Sequence, residues 1–130
     1  MSTVLVFGNF KAVHVGHFRL FEYARSLGDE LVVGVYQEKE SSSETDFSRS
    51  LIESIRFVSK VVQYKDLDEL LSEVNPKIVV RGQEFKFVED NDNEIIRRKG
   101  AQLYFGSGNS HLSEEDFTQR NNSGISIRQT

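Results

Sequence analysis

The apolar residues of this chain fall into two kinds of run. The first kind is short and continuous: Val4 to Phe7 ending at Gly8, Leu31 to Tyr36, and Ile78 to Val80 ending at Arg81-Gly82. Such runs predict strands covered on both faces. Val61-Val62 and Leu103 to Phe105 are shorter strand candidates. The second kind is periodic. His17, Leu20, Phe21, Ala24 and Leu27 share one helical face, with Gly28 as the expected stop. Leu51, Ile52, Ile55 and Val58 form a second stripe. Leu67, Leu70, Leu71 and Val74 form a third, opened by Asp66 as a cap with Glu69 three residues on, and closed by Pro76. Glu94 to Lys99 predicts a short fourth helix.

Strands alternating with helices of about ten residues require crossover connections, so the expected fold is α/β with a parallel sheet of about five strands. Ligands of such sheets bind at the carboxyl ends of the strands, where the strand order reverses. The turns after Phe7, Tyr36 and Val80 are therefore the places to look. Glu38 to Asp46 is polar and serine-rich and predicts a loop. Asn121 to Thr130 holds almost nothing for a core and predicts a polar tail or linker after a domain spanning residues 1–120.

Composition narrows the function. The chain has 130 residues, 38% apolar and 28% charged, which is an ordinary globular balance. Its net charge of −4 argues against a nucleic-acid partner. No apolar run approaches the roughly 20 residues that span a bilayer. The opening Met1-Ser2-Thr3-Val4 lacks the basic and apolar regions of a secretion signal, so none is expected. With no cysteine there are no disulfides, thiolate zinc sites or cysteine nucleophiles, and the cytoplasm is the expected compartment.

The first turn concentrates the candidate chemistry. It reads Gly8-Asn9-Phe10-Lys11-Ala12-Val13-His14-Val15-Gly16-His17, two histidines three apart where a loop becomes a helix. Gly16 lets backbone approach a ligand, and the first helical turn offers unpaired amides and the positive end of the dipole. With Lys11, the histidines would stabilise charge on a transferring phosphoryl group. The alternative is a pair of solvated or capping histidines. A zinc site is disfavoured: His14 and His17 supply two ligands, His111 is the one further histidine, and a catalytic zinc takes three protein ligands.

The pattern G-N-F-x-x-x-H-x-G-H after an N-terminal strand resembles the signature of the cytidylyltransferase-like nucleotidyltransferases. The resemblance extends to Gly28-Asp29-Glu30-Leu31-Val32-Val33-Gly34-Val35 and to Asn75-Pro76-Lys77-Ile78-Val79-Val80-Arg81-Gly82-Gln83-Glu84-Phe85. It covers about residues 3 to 118. With Gly100 to Gly108, it is nearest to sugar- or polyol-phosphate nucleotidyltransferase domains found fused to sugar kinases. It implies a Rossmann-like three-layer fold and transfer of CMP, or of AMP, from CTP or ATP to a phosphorylated sugar or polyol, with release of pyrophosphate. It implies Mg²⁺ carried mainly by the triphosphate, and a homodimer. His14 and His17 would act on the triphosphate with Lys11 assisting. Gly8, Asn9, Phe10, Gly16, Arg81, Gly82, Gln83 and Glu84 would bind the nucleotide. The family's late phosphate-binding motif falls best on Asn109 to Ser113, giving Ser110 and Ser113; Ile125 to Arg128 is the second match.

Lys11 stands where many members carry Asp, and the late motif is irregular. The competing reading is therefore a nucleotide-binding or interaction domain of the same fold without catalysis, and a third is an FMN adenylyltransferase. Arg81 has two readings of its own: a surface arginine pairing with Glu84, or a contact to triphosphate or base. Lys39 and Arg49 each have two readings, a solvated side chain, which is favoured, or a contact to phosphate or, for Arg49, to substrate. Phe57, Phe85, Phe87 and Phe105 read as core or interface rather than as a stacking platform.

Overall fold

A computed structural model describes residues 2–10, 13, 15–37, 43–86 and 91–106. The elements alternate as expected. Strands β1 (Thr3–Gly8), β2 (Glu30–Tyr36), β3 (Lys60–Tyr64), β4 (Ile78–Gly82) and β5 (Gln102–Gly106) are joined by helices α1 (Val15–Arg25), α2 (Ser43–Glu53), α3 (Leu67–Val74) and α4 (Asn91–Arg98). A short 3₁₀ turn, Gln83–Phe85, follows β4. The five strands form one sheet in the order β3-β2-β1-β4-β5, and every pairing is parallel. This is a Rossmann-like α/β fold.

The continuous apolar runs are explained by cover on both faces. Val4, Val6, Leu31, Val33 and Val80 pack with Phe21 and Ala24 of α1 and Ile52 of α2. Leu5, Val32 and Val79 point the other way, against Leu67, Leu70 and Leu71 of α3 and Ile96 of α4. Adjacent residues of one strand thus feed opposite cores, and neither face can accept a polar side chain. At Gly34 of β2 a Cβ would lie 2.7 Å from Leu70 Cδ2, so the glycine sets how closely α3 approaches the sheet.

Four local expectations need correction. Gly28 is not a left-handed helix stop: α1 ends at Arg25, and among the described glycines only Gly100 has a positive φ, 89°. Gly28 is required for room, because a Cβ there would sit 2.7 Å from Val4 Cγ2. The loop expected over Glu38 to Asp46 ends sooner, since α2 starts at Ser43. That helix also stops at Glu53, so Ile55 and Val58 pack on the core from the following turn. At its end the Ser54 hydroxyl donates to Leu51 O at 2.6 Å, alongside the Ser54 amide's own bond to Ser50 O at 3.2 Å. Finally, Asp66 precedes α3 in extended geometry without a side-chain cap bond, and α3 is closed by Asn75 at φ 49°, ahead of Pro76. Asparagine tolerates that left-handed position.

No helix among the described residues is long and apolar enough to cross a membrane. The expected tail, 121–130, lies outside the described residues.

Candidate active site

In the strand order, β1 lies between β2 and β4. The chain leaves β1 toward one edge and returns on its other side at β4, so the loops diverge above their carboxyl ends. A cleft of about 510 Å³ opens at this switch point. Its walls come from three places: the turn after β1, the end of β4 with the start of α4, and the ends of β2 and β3.

The first wall holds Gly8, Asn9, Phe10 and His17. Phe10 is buried in the core, its ring 5.5 Å from that of Phe21, and it meets the His17 imidazole edge-on at 5.1 Å. Phe10 thereby acts as the backing of His17, a packing role beside the nucleotide contact expected for it. His17 sits in the first turn of α1, one residue after Gly16. That turn contains no acidic residue, whereas α3 opens with Asp68 and Glu69 and α4 with Asp92 and Glu94. The positive end of the α1 dipole is thus left for an anion to meet. Lys11 and His14 lie outside the described residues.

The second wall corrects one reading of Arg81. It is not a surface arginine: its side chain is only 7% exposed, although it ends a strand and lines the cleft. Its guanidinium carbon lies 3.8 Å from the Phe85 ring centroid and 5.1 Å from that of Phe7. Nη1 donates to Asn93 Oδ1 at 2.8 Å, and Nη2 is 4.0 Å from Asp92 Oδ2. Cation–π contact with these rings offsets part of the cost of burying a cation. Phe85, read from sequence as core or interface, is in fact part of the cleft lining. Gly82 also lines the cleft; Gln83 is exposed on the 3₁₀ turn and does not line it. Glu84 lies in the same turn, its side chain outside those described.

The third wall, Tyr36, Tyr64 and Lys65, was mostly missed. The Tyr64 ring is 6.2 Å from Phe7, edge to face, and 5.6 Å from Tyr36. Burial, aided by the negative charge of Asp92, pushes the Tyr64 hydroxyl up to about 12 against the partial opposition of Arg81. It therefore stays a neutral donor at ordinary pH. The carboxyl-end rule applied to β3 would have found Tyr64 and Lys65. Asp92 and Asn93 gave no signal, because a helix start rich in Asp and Asn reads as capping.

Ser110, Ser113 and Lys39 lie outside the described residues. Arg49 pairs with Glu53 on α2 at 3.6 Å and does not line the cleft. Among the described residues no group of three or more His, Cys, Asp or Glu could hold a metal ion. The cleft thus combines a helix start, an imidazole and two cationic side chains with an aromatic flank, a surface suited to a polyphosphate joined to a planar or sugar group.

A family model described as cytidylyltransferase-like matches residues 5–106. An FAD synthase from Aciduliprofundum boonei is 31% identical over 112 residues, 79% of this chain and 75% of that protein. A glycerol-3-phosphate cytidylyltransferase from Bacillus spizizenii is 30% identical over 81 residues, 57% of this chain and 63% of its own length. Among solved structures, a lipopolysaccharide core biosynthesis protein from Thermoplasma volcanium superposes with a TM-score of 0.66 at 26% identity, covering 81% of this chain and 93% of that one.

Proposed function

The chain belongs to the cytidylyltransferase-like family, and from that premise we propose that it transfers a nucleotidyl group from CTP or ATP to a phosphate monoester carried on a polyol or sugar. The observation that carries this reading is the meeting of His17, at the start of α1, with Arg81 and Lys65 in one cleft at the strand switch point. An oxygen of the acceptor phosphate attacks the α-phosphorus; one P–O bond forms, the bond to the β-phosphate bridge breaks, and pyrophosphate leaves. The attacking atom belongs to the substrate, so the protein supplies position and charge.

His17, with His14 and Lys11, would stabilise the phosphoryl group in flight. Arg81 would attract the triphosphate from the opposite wall. Mg²⁺ would enter with the triphosphate's own oxygens, and Asp92, the one carboxylate among the described lining residues, would be the side chain to share it. Glycerol 3-phosphate is the simplest acceptor of this class, and the likeness of Gly100 to Gly108 to domains fused to sugar kinases supports sugar phosphates as well.

A second reading takes FMN as acceptor and ATP as donor. FMN bears its phosphate on a ribityl chain, itself a polyol, and the Phe7, Tyr36 and Tyr64 rings offer a flank for a planar ring system. The similarity to an FAD synthase supports it. Exposed Val15 and Phe18 on α1, with Phe47 and Leu51 on α2, supply apolar surface for the homodimer that belongs to the same proposal.

The test is pyrophosphate release with CTP or ATP against glycerol 3-phosphate, a panel of sugar phosphates, and FMN. Release with CTP and a polyol or sugar phosphate supports the first reading. Release only with ATP and FMN replaces it by the second. Nucleotide binding with no release for any acceptor overturns both and leaves a binding domain.

A further inference from the structure

Asn93 is 2% exposed on the core side of α4, one turn before Ile96. A helix that buries that face normally spends an aliphatic residue there. Instead the position carries an amide that is satisfied at both ends. Its oxygen accepts from Arg81 Nη1 at 2.8 Å, and its nitrogen donates to the carbonyl of Phe85 at 3.1 Å. The orientation is dictated by the partners: a guanidinium can only donate and a carbonyl can only accept. One side chain therefore joins three pieces of the cleft wall, namely the end of β4, the 3₁₀ turn and the start of α4.

The geometry points to Asn93 as the positioning residue for Arg81, and so as a determinant of nucleotide affinity that never touches the nucleotide. This rests on the proposed role of Arg81 in meeting the triphosphate. The two bonds of Asn93 act on the same object from two sides. The first fixes the guanidinium about its long axis. The second holds the backbone of Phe85, whose ring lies 3.8 Å from the guanidinium carbon, at the stacking distance. Asp92 cannot replace it, because its carboxylate is 4.0 Å from Nη2 and its side chain is 43% exposed. An arginine already held by two rings and a buried amide loses little freedom on binding a phosphate, and that is how preorganisation becomes affinity. Leucine at position 93 would fill the same space and serve the helix, but it would leave a buried guanidinium N–H and the Phe85 carbonyl without this partner.

The experiment measures dissociation constants of Mg·CTP and Mg·ATP for the full chain and for N93L, N93D, R81Q and the double variant R81Q/N93L. Circular dichroism and thermal midpoints report folding. The expected result is that R81Q and N93L each weaken binding about tenfold, and that the double variant is no weaker than R81Q, because coupled residues are non-additive. N93D keeps an acceptor for Arg81 but loses the donor to Phe85, so it should fall between wild type and N93L. That grading separates positioning from a general loss of stability, which would track the thermal midpoint. Wild-type affinity in a folded N93L or N93D, or losses that add in the double variant, would overturn the assignment. Unchanged affinity in R81Q would overturn the role of Arg81 and this inference with it. Failure of the wild type to bind either nucleotide would overturn the proposed function itself.

Discussion

The guanidinium carbon of Arg81 lies over the ring of Phe85, 3.8 Å from its centroid, and 5.1 Å from the ring centroid of Phe7. A cation stacked at a partly desolvated site gains on the order of 1–2 kcal/mol from the ring. Phe85→Leu should keep an apolar side chain and lose the ring contact. We expect nucleotide affinity to weaken several-fold while the fold survives, read by calorimetric titration of the nucleotide that wild type binds. Unchanged affinity would show that the stack is only packing.

Replacing His17 by Ala should lower kcat roughly 10²- to 10³-fold, the usual loss for one preorganised donor at a developing charge. Steady-state kinetics with saturating nucleotide would measure it. Near wild-type turnover would remove His17 from the chemistry and leave it as the edge partner of Phe10.

Asp29 ties the start of β2 to the start of the chain. The Ser2 amide donates to Asp29 Oδ2 at 2.9 Å and the Ser2 hydroxyl at 3.2 Å, and these bonds hold its carboxyl below the ordinary value of 3.8. A depressed folded value means the stabilisation is fully present above pH 3.8 and is lost as pH falls through the folded value. Asp29→Asn should be less stable than wild type near neutrality, with the gap closing in acid. Thermal midpoints taken from neutral pH down to about 2.5 would trace it. A gap of constant size across that range would contradict the linkage.

Tyr64 gives the opposite sign. Its folded value is raised to about 12 from 10.0, chiefly by burial. Its neutral form is favoured by the fold, so its contribution is complete below pH 10 and is lost as pH rises toward 12. Tyr64→Phe should flatten the alkaline fall in urea midpoint. An alkaline profile identical to wild type would assign that fall to other groups.

Leu70 is 1% exposed at the contact of α3 with Gly34 of β2. Leu70→Ala should cost about 2–5 kcal/mol, the range for a buried leucine whose site cannot fully collapse. Urea unfolding would measure it, and a loss under about 1 kcal/mol would mean that α3 repacks onto the sheet.

The sequence by itself determined the class of fold. Val4 to Phe7, Leu31 to Tyr36 and Ile78 to Val80 are apolar on both faces, and only a parallel sheet covered by crossover helices buries such strands. It also marked the first turn, because glycine and histidine at a strand-to-helix junction leave a local trace. Tertiary structure decided the rest. Whether Arg81 faces water or is buried against Phe7 and Phe85 depends on β1, the 3₁₀ turn and α4 meeting in space, and no spacing along the chain encodes that meeting. Asn93, read along the chain, is one more polar residue at a helix start. Only the packing of α4 against the end of β4 turns it inward, where a guanidinium and a carbonyl need the two ends of its amide.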